Sequence, residues 1–117
     1  MNNLRKLLST PLWYYPEFRQ ITGSTAAAII LQRLLYLWER KQNDTIYKSV
    51  KELQAETGFA KDEQWKAIKE LEKLEFIDME YAGMPPVRHF KISVDKVRKA
   101  IEEHFDKKMQ QNGRIAD

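Results

Sequence analysis

The sequence has no cysteine. That excludes disulfides, thiolate metal sites and cysteine nucleophiles, and it suits a reducing compartment. Glycine and proline number four each among 117 residues and the glycines are scattered, so there is no flexible linker, low-complexity tract or Gly-rich phosphate loop. The two histidines, His89 and His104, stand far apart, and neither is at metal-ligand spacing from a carboxylate pair. Serine-nucleophile motifs are missing too. The chain therefore reads as a non-enzyme with no metal, no cofactor and no evident small-molecule substrate. Its strongest apolar segment, Ala26 to Trp38, is broken by Gln32 and Arg33 and is too short to span a bilayer. The start, Met1-Asn-Asn-Leu-Arg-Lys-Leu-Leu, lacks the apolar stretch of an export signal. A cytoplasmic protein without membrane segments is expected.

What is present fits one domain over residues 1–117. The chain is 43% hydrophobic and 32% charged, with 20 basic against 17 acidic residues and a formal net charge of +3. The basic excess lies before residue 46, whereas residues 46–77 hold six basic and seven acidic side chains. Such a balance permits a polyanionic partner without requiring one.

Order along the chain is readable. Residues 1–22, rich in aromatics (Trp13, Tyr14, Tyr15, Phe18) and punctuated by Pro11 and Pro16, are expected as an irregular arm packed on the body. Thr22-Gly-Ser-Thr25 supplies cap chemistry for a long, buried N-terminal helix over 25–41, which Asn43-Asp44 ends. Apolar residues wrap most of its circumference, which predicts burial on nearly all sides, in this core or in a dimer interface. Thr45-Ile-Tyr-Lys48 suits a small strand, and Ser49-Val-Lys-Glu52 a capping box opening a short helix. Thr57-Gly58-Phe59 is a turn needing a left-handed residue. A helix from about Lys61 to Leu74 follows, with Ala67, Ile68, Leu71 and Leu74 inward. Phe76–Tyr81 and Val87–Ile92 alternate as half-buried strands around the turn Ala82-Gly-Met-Pro-Pro86, which makes a β-hairpin. Val94, Val97, Ile101, Phe105 and Met109 form a stripe on a last helix over 94–110. The fold class is α+β, mainly α.

Small strand, short helix, tight turn, longer helix and hairpin, over 46–92, make a helix-turn-helix followed by a wing. In such a unit the second helix enters the major groove and the first braces it. The segment Thr57-Gly-Phe-Ala-Lys-Asp-Glu-Gln-Trp-Lys-Ala-Ile-Lys-Glu-Leu-Glu-Lys-Leu-Glu-Phe-Ile77 resembles the recognition helix of winged helix-turn-helix proteins. The hairpin Gly83-Met-Pro-Pro-Val-Arg-His-Phe-Lys-Ile92 resembles a wing found in phage and mobile-element replication proteins of the replisome-organiser kind. The resemblance implies double-stranded DNA as partner and a part in replication initiation. Transcriptional regulation and protein docking by the same fold are the alternatives, and a homodimer or a replication protein is a further partner.

The nucleic-acid-binding candidates are Lys48, Lys61, Gln64, Trp65, Lys69, Arg88, His89 and Lys91. Lys61 and Arg88 stand where helix start and wing meet nucleic acid. Gln64 has the amide that pairs bidentately with adenine. Trp65 is expected under the N-terminal arm; exposed, it would stack on a sugar or anchor a partner protein. Two departures from the pattern count against contact. Ala60 replaces the usual cap hydroxyl, and Asp62 and Glu63 place acid in the first turn of the reading helix.

Overall fold

A computed structural model of the chain describes residues 2–41 and 45–116, with backbone alone for residue 2 and residues 111–116. The elements run α1 (Asn2–Leu7), α2 (Pro16–Thr22), α3 (Thr25–Lys41), β1 (Thr45–Tyr47), α4 (Val50–Thr57), α5 (Lys61–Lys73), β2 (Ile77–Ala82), β3 (Val87–Ile92) and α6 (Val94–Ala116). The architecture is α+β and mainly helical. The expected helix stop at Asn43-Asp44 lies outside the described residues.

The expectation of a long N-terminal helix is corrected. The chain opens with helices of six and seven residues, and the buried helix α3, 17 residues long, comes third. Pro11 and Pro16 explain the interruption: proline lacks the amide a helix interior needs and suits only its first turn, where Pro16 sits. The expected packing of the whole arm is also corrected. Leu4, Leu7, Leu8, Trp13, Tyr14 and Tyr15 are exposed, and only α2 packs in, through Phe18 and Ile21. What guides the arm is Gln32 on α3. Its Oε1 accepts from Tyr15 N–H at 2.8 Å and its Nε2 donates to Trp13 carbonyl at 2.6 Å.

Local chemistry sets the helix starts. Ser24 Oγ accepts from Ala27 N–H at 3.1 Å, capping α3, and its own hydroxyl donates to Glu70 Oε2 on α5 at 2.7 Å. At α4 the capping box forms in full: Ser49 Oγ accepts from Glu52 N–H at 3.1 Å, and Glu52 Oε1 accepts from Ser49 N–H at 3.0 Å. Each cap contributes about 1 kcal/mol.

The three strands form one antiparallel sheet in the order β1-β3-β2, with Ile46 opposite Phe90 and Phe90 opposite Met79. Ile30, Leu31 and Leu34 of α3, Leu53 of α4 and Ile68 and Leu71 of α5 close over Ile46 and Phe90, all fully buried. Burying each such side chain contributes about 1.5–3 kcal/mol relative to exposure. Because side chains alternate along a strand, Arg88, Phe90 and Ile92 face the helices, while His89 and Lys91 face the other way. On α6 the expected stripe is only half used. Val97 is buried and Ile101 partly so, but Phe105 and Met109 are exposed. The reason is length: α6 has 23 residues, about 35 Å, and the seven-residue α2 that packs on it spans about 10 Å.

Candidate nucleic-acid interface

Helices α4 and α5 are joined by a three-residue turn whose Gly58 takes φ 81°, a left-handed conformation that costs glycine nothing. Gly58 N–H donates to Gln54 carbonyl at 2.7 Å and closes α4. Ala60 has no side-chain oxygen to cap α5, so only half a capping box forms: Glu63 Oε1 accepts from Ala60 N–H at 3.1 Å. The carboxylate of Glu63 is thus turned back onto the helix start.

The same holds for nearly every acid of residues 46–77. Glu52 caps α4, and the Ser49 backbone bond, then the Ser49 hydroxyl and the Lys48 charge, hold its pKa below the usual carboxylate value. Glu56 pairs with Arg33 Nε at 2.6 Å and with Lys48 Nζ. Glu70 takes the Ser24 hydroxyl, and Glu72 accepts from Met79 N–H at 3.2 Å and pairs with Lys69 at 3.3 Å. Glu75, at φ 64° in the turn to β2, is bound by Lys96 at 2.6 Å, which lowers its pKa. Asp62 alone among these acids has no hydrogen-bond or ion-pair partner among the described residues. Lys51, Lys61, Lys66 and Lys73 are exposed and likewise unpaired. The net charge of the segment is unchanged by this: Asp62 and Glu63 remain exposed beside Lys61 and Lys66, and Glu52 and Glu75 are exposed as well.

Trp65 projects from the exposed face of α5 with 52% of its surface accessible, so the expectation that the N-terminal arm covers it is corrected. Lys69, one turn on, sets its ammonium 4.3 Å from the Trp65 ring centroid. Lys61, Trp65, Lys66 and Lys69 therefore share the exposed side of α5.

Gln64 and Arg88 do not join them. Gln64 is fully buried: its Nε2 donates to Val50 carbonyl at 3.0 Å and Phe59 carbonyl at 2.9 Å. Its Oε1 accepts from Arg88 Nη2 at 2.8 Å. Arg88, 5% exposed, also donates from Nε to Lys48 carbonyl at 3.0 Å. Burial lowers the Arg88 pKa, although an arginine remains a cation at neutral pH. Base reading by Gln64 and phosphate contact by Arg88 are corrected on these grounds, since both heads are spent inside. Lys48 is half-buried against Glu56, and that pairing withdraws it from the surface. His89 and Lys91 lie on the far face of the sheet, where the His89 ring meets Tyr47 edge-on at 4.2 Å. The hairpin tip carries no charge, and Met84 there is 99% exposed.

Two signals in the sequence would have turned these side chains inward. Position 64 precedes Ala67, Ile68 and Leu71 at the same 3–4 spacing, and Arg88 shares strand parity with Phe90 and Ile92. Among the described residues no group of three or more His, Asp or Glu side chains is arranged to hold a metal, and no helix is long and apolar enough to cross a membrane. In comparisons with protein-family models, curated proteins and solved structures, the chain matches none.

Proposed function

We propose that the chain is a non-catalytic, duplex-DNA-binding winged helix-turn-helix module, with α5 as the reading helix and the β2–β3 hairpin as the wing. The observation that carries this reading is the disposition of charge around α5. Every acid of residues 46–77 except Asp62 has a hydrogen-bond or ion-pair partner, whereas Lys51 on α4 and Lys61, Lys66 and Lys73 on α5 stand free, with the Trp65–Lys69 pair on the exposed side of α5. Free lysines on an exposed helix suit phosphates, and an exposed indole suits stacking on a sugar. The sheet order β1-β3-β2, with α4 and α5 inserted between the first two strands in sequence, supports the wing assignment. The likeness of residues 57–77 and 83–92 to phage and mobile-element replication proteins favours a part in replication initiation or its regulation.

Exposure of Trp65 also supports a second reading, a docking helix for another protein, because a half-exposed tryptophan is a strong interface anchor. Titration of a labelled random-sequence duplex at several salt concentrations separates the two. DNA binding should weaken steeply as salt rises. No binding at the lowest salt would remove the first reading and leave the second.

A further inference from the structure

The hairpin is longer than the strand that anchors it. β1 pairs with β3 only from His89 to Lys91, so the distal pairs Tyr81–Arg88 and Ala82–Val87 have no third strand beside them. A two-stranded ribbon is marginal in water and free to twist about its base. A backbone bond ties it at one point, Lys48 N–H donating to the Arg88 carbonyl at 3.2 Å, and a side-chain device links it to the helices. Arg88 reaches across the inner face and donates to Lys48 carbonyl, just before α4, and to the Gln64 amide on α5. Gln64 in turn holds Val50 at the start of α4 and Phe59 in the turn. One side-chain amide thus joins both helices, their turn and the hairpin.

The chemistry of this joint is costly for mere packing. Among the described residues no carboxylate pairs with the buried guanidinium; its remaining support is the Phe90 ring, 5.3 Å from Arg88 Cζ. Desolvating a charge is expensive, and an apolar side chain of similar volume would avoid that penalty. What an apolar side chain would not reproduce is direction. The guanidinium plane and the amide plane each fix the other through bonds of defined angle.

We propose that Gln64 and Arg88 are positioning residues, whose buried hydrogen-bond chain fixes the hairpin relative to α5 so that both meet one duplex in register. The proposal rests on the DNA-binding reading for its consequence, though not for its geometry. The absence of cysteine allows spin labels to be placed at will. A Lys66→Cys, Met84→Cys pair reports the distance from α5 to the hairpin tip by pulsed electron resonance. Affinity for a random duplex is measured separately on unlabelled variants.

A single narrow distance distribution is expected with Gln64 intact, and a broadened one in Gln64→Met, which keeps length but drops every polar bond. Gln64→Glu keeps the acceptor for Arg88 but loses both bonds to the Val50 and Phe59 carbonyls, so its distribution should lie between the two. Duplex affinity should fall about tenfold in Gln64→Met and by less in Gln64→Glu, because the link to the hairpin is lost only in the first. Circular dichroism at the same temperature must show equal helix content. Should Gln64→Met lose helix, Arg88→Met carries the same two measurements. A narrow distribution in the polar-deleted variant, or a broad one with affinity unchanged, overturns the proposal. A Gln64-intact protein that binds no duplex, yet broadens on Gln64→Met, overturns the DNA reading and upholds the joint.

Discussion

If α5 meets phosphate through its unpaired lysines, removing two of them should change the salt dependence by a set amount. Four exposed lysines of α4 and α5 have no partner among the described residues: Lys51, Lys61, Lys66 and Lys73. Each phosphate neutralised on duplex DNA contributes about −0.9 to the slope of log K against log salt, so four contacts give about −3.6. Over a fourfold rise in salt, from about 50 to 200 mM, affinity then falls about 150-fold. Lys61→Gln with Lys66→Gln leaves two contacts, a slope of about −1.8 and a fall of about 12-fold over the same interval. Fluorescence anisotropy on a labelled duplex measures both slopes in one afternoon's series. Lys91→Gln is the control, because Lys91 faces away from α5 on the far side of the sheet. Asp62→Asn should raise affinity without flattening the slope, since Asp62 is the one unengaged acid on that helix. An unaltered slope in the double variant, or an equal flattening in Lys91→Gln, would refute the assignment of α5 as the contact surface.

Two further outcomes follow from hydrogen bonds described above. In a double-mutant cycle, Gln64→Leu strands Val50 and Phe59 carbonyls and Arg88 Nη2, a loss of about 3 kcal/mol at about 1 kcal/mol each. Arg88→Met should cost less, about 1–2 kcal/mol, because releasing a desolvated cation offsets the lost bonds. The two should couple by at least about 1 kcal/mol in urea unfolding, and additivity within about 0.5 kcal/mol would count against direct interaction. The second outcome concerns acid. Glu52 has its pKa lowered in the folded state, so its contribution is complete above the unfolded value near 4.5 and is lost as pH falls through the folded value. Glu52→Gln should therefore flatten the acid side of the stability curve while leaving its neutral side with the same shape, as thermal melts at stepped pH would show.

Much of the fold was legible because local signals agreed. Ser49 and Glu52 mark the start of α4, Gly58 marks its end, and the alternation of residues 87–92 matches β3 residue for residue. The candidate site was legible in its surface and not in its interior. Lys61, Trp65 and Lys69 stand where helical periodicity puts them, outside the stripe of Ala67, Ile68 and Leu71. Gln64 and Arg88 are polar residues in a buried phase, which declares a hydrogen-bond network, and three of its acceptors are carbonyls. Those carry no sequence signature. Charge counting failed for a related reason. The tally for residues 46–77 is acidic, but whether a glutamate faces solvent, a helix amide or a distant serine such as Ser24 is settled only by packing.

The grip of Gln32 on the arm has a consequence for how that end of the chain can vary. Both of its bonds go to backbone atoms, Tyr15 N–H and Trp13 carbonyl, so the side chain acts as one rung of a ladder with no strand opposite. Backbone groups are common to every residue save proline, which lacks the amide needed at position 15. These two ties are therefore indifferent to side-chain identity at positions 13 and 15, where the rings of Trp13 and Tyr15 add only their own stacking, 6.3 Å between centroids. A change at position 32 would instead remove both backbone ties, at Trp13 and at Tyr15, in one step.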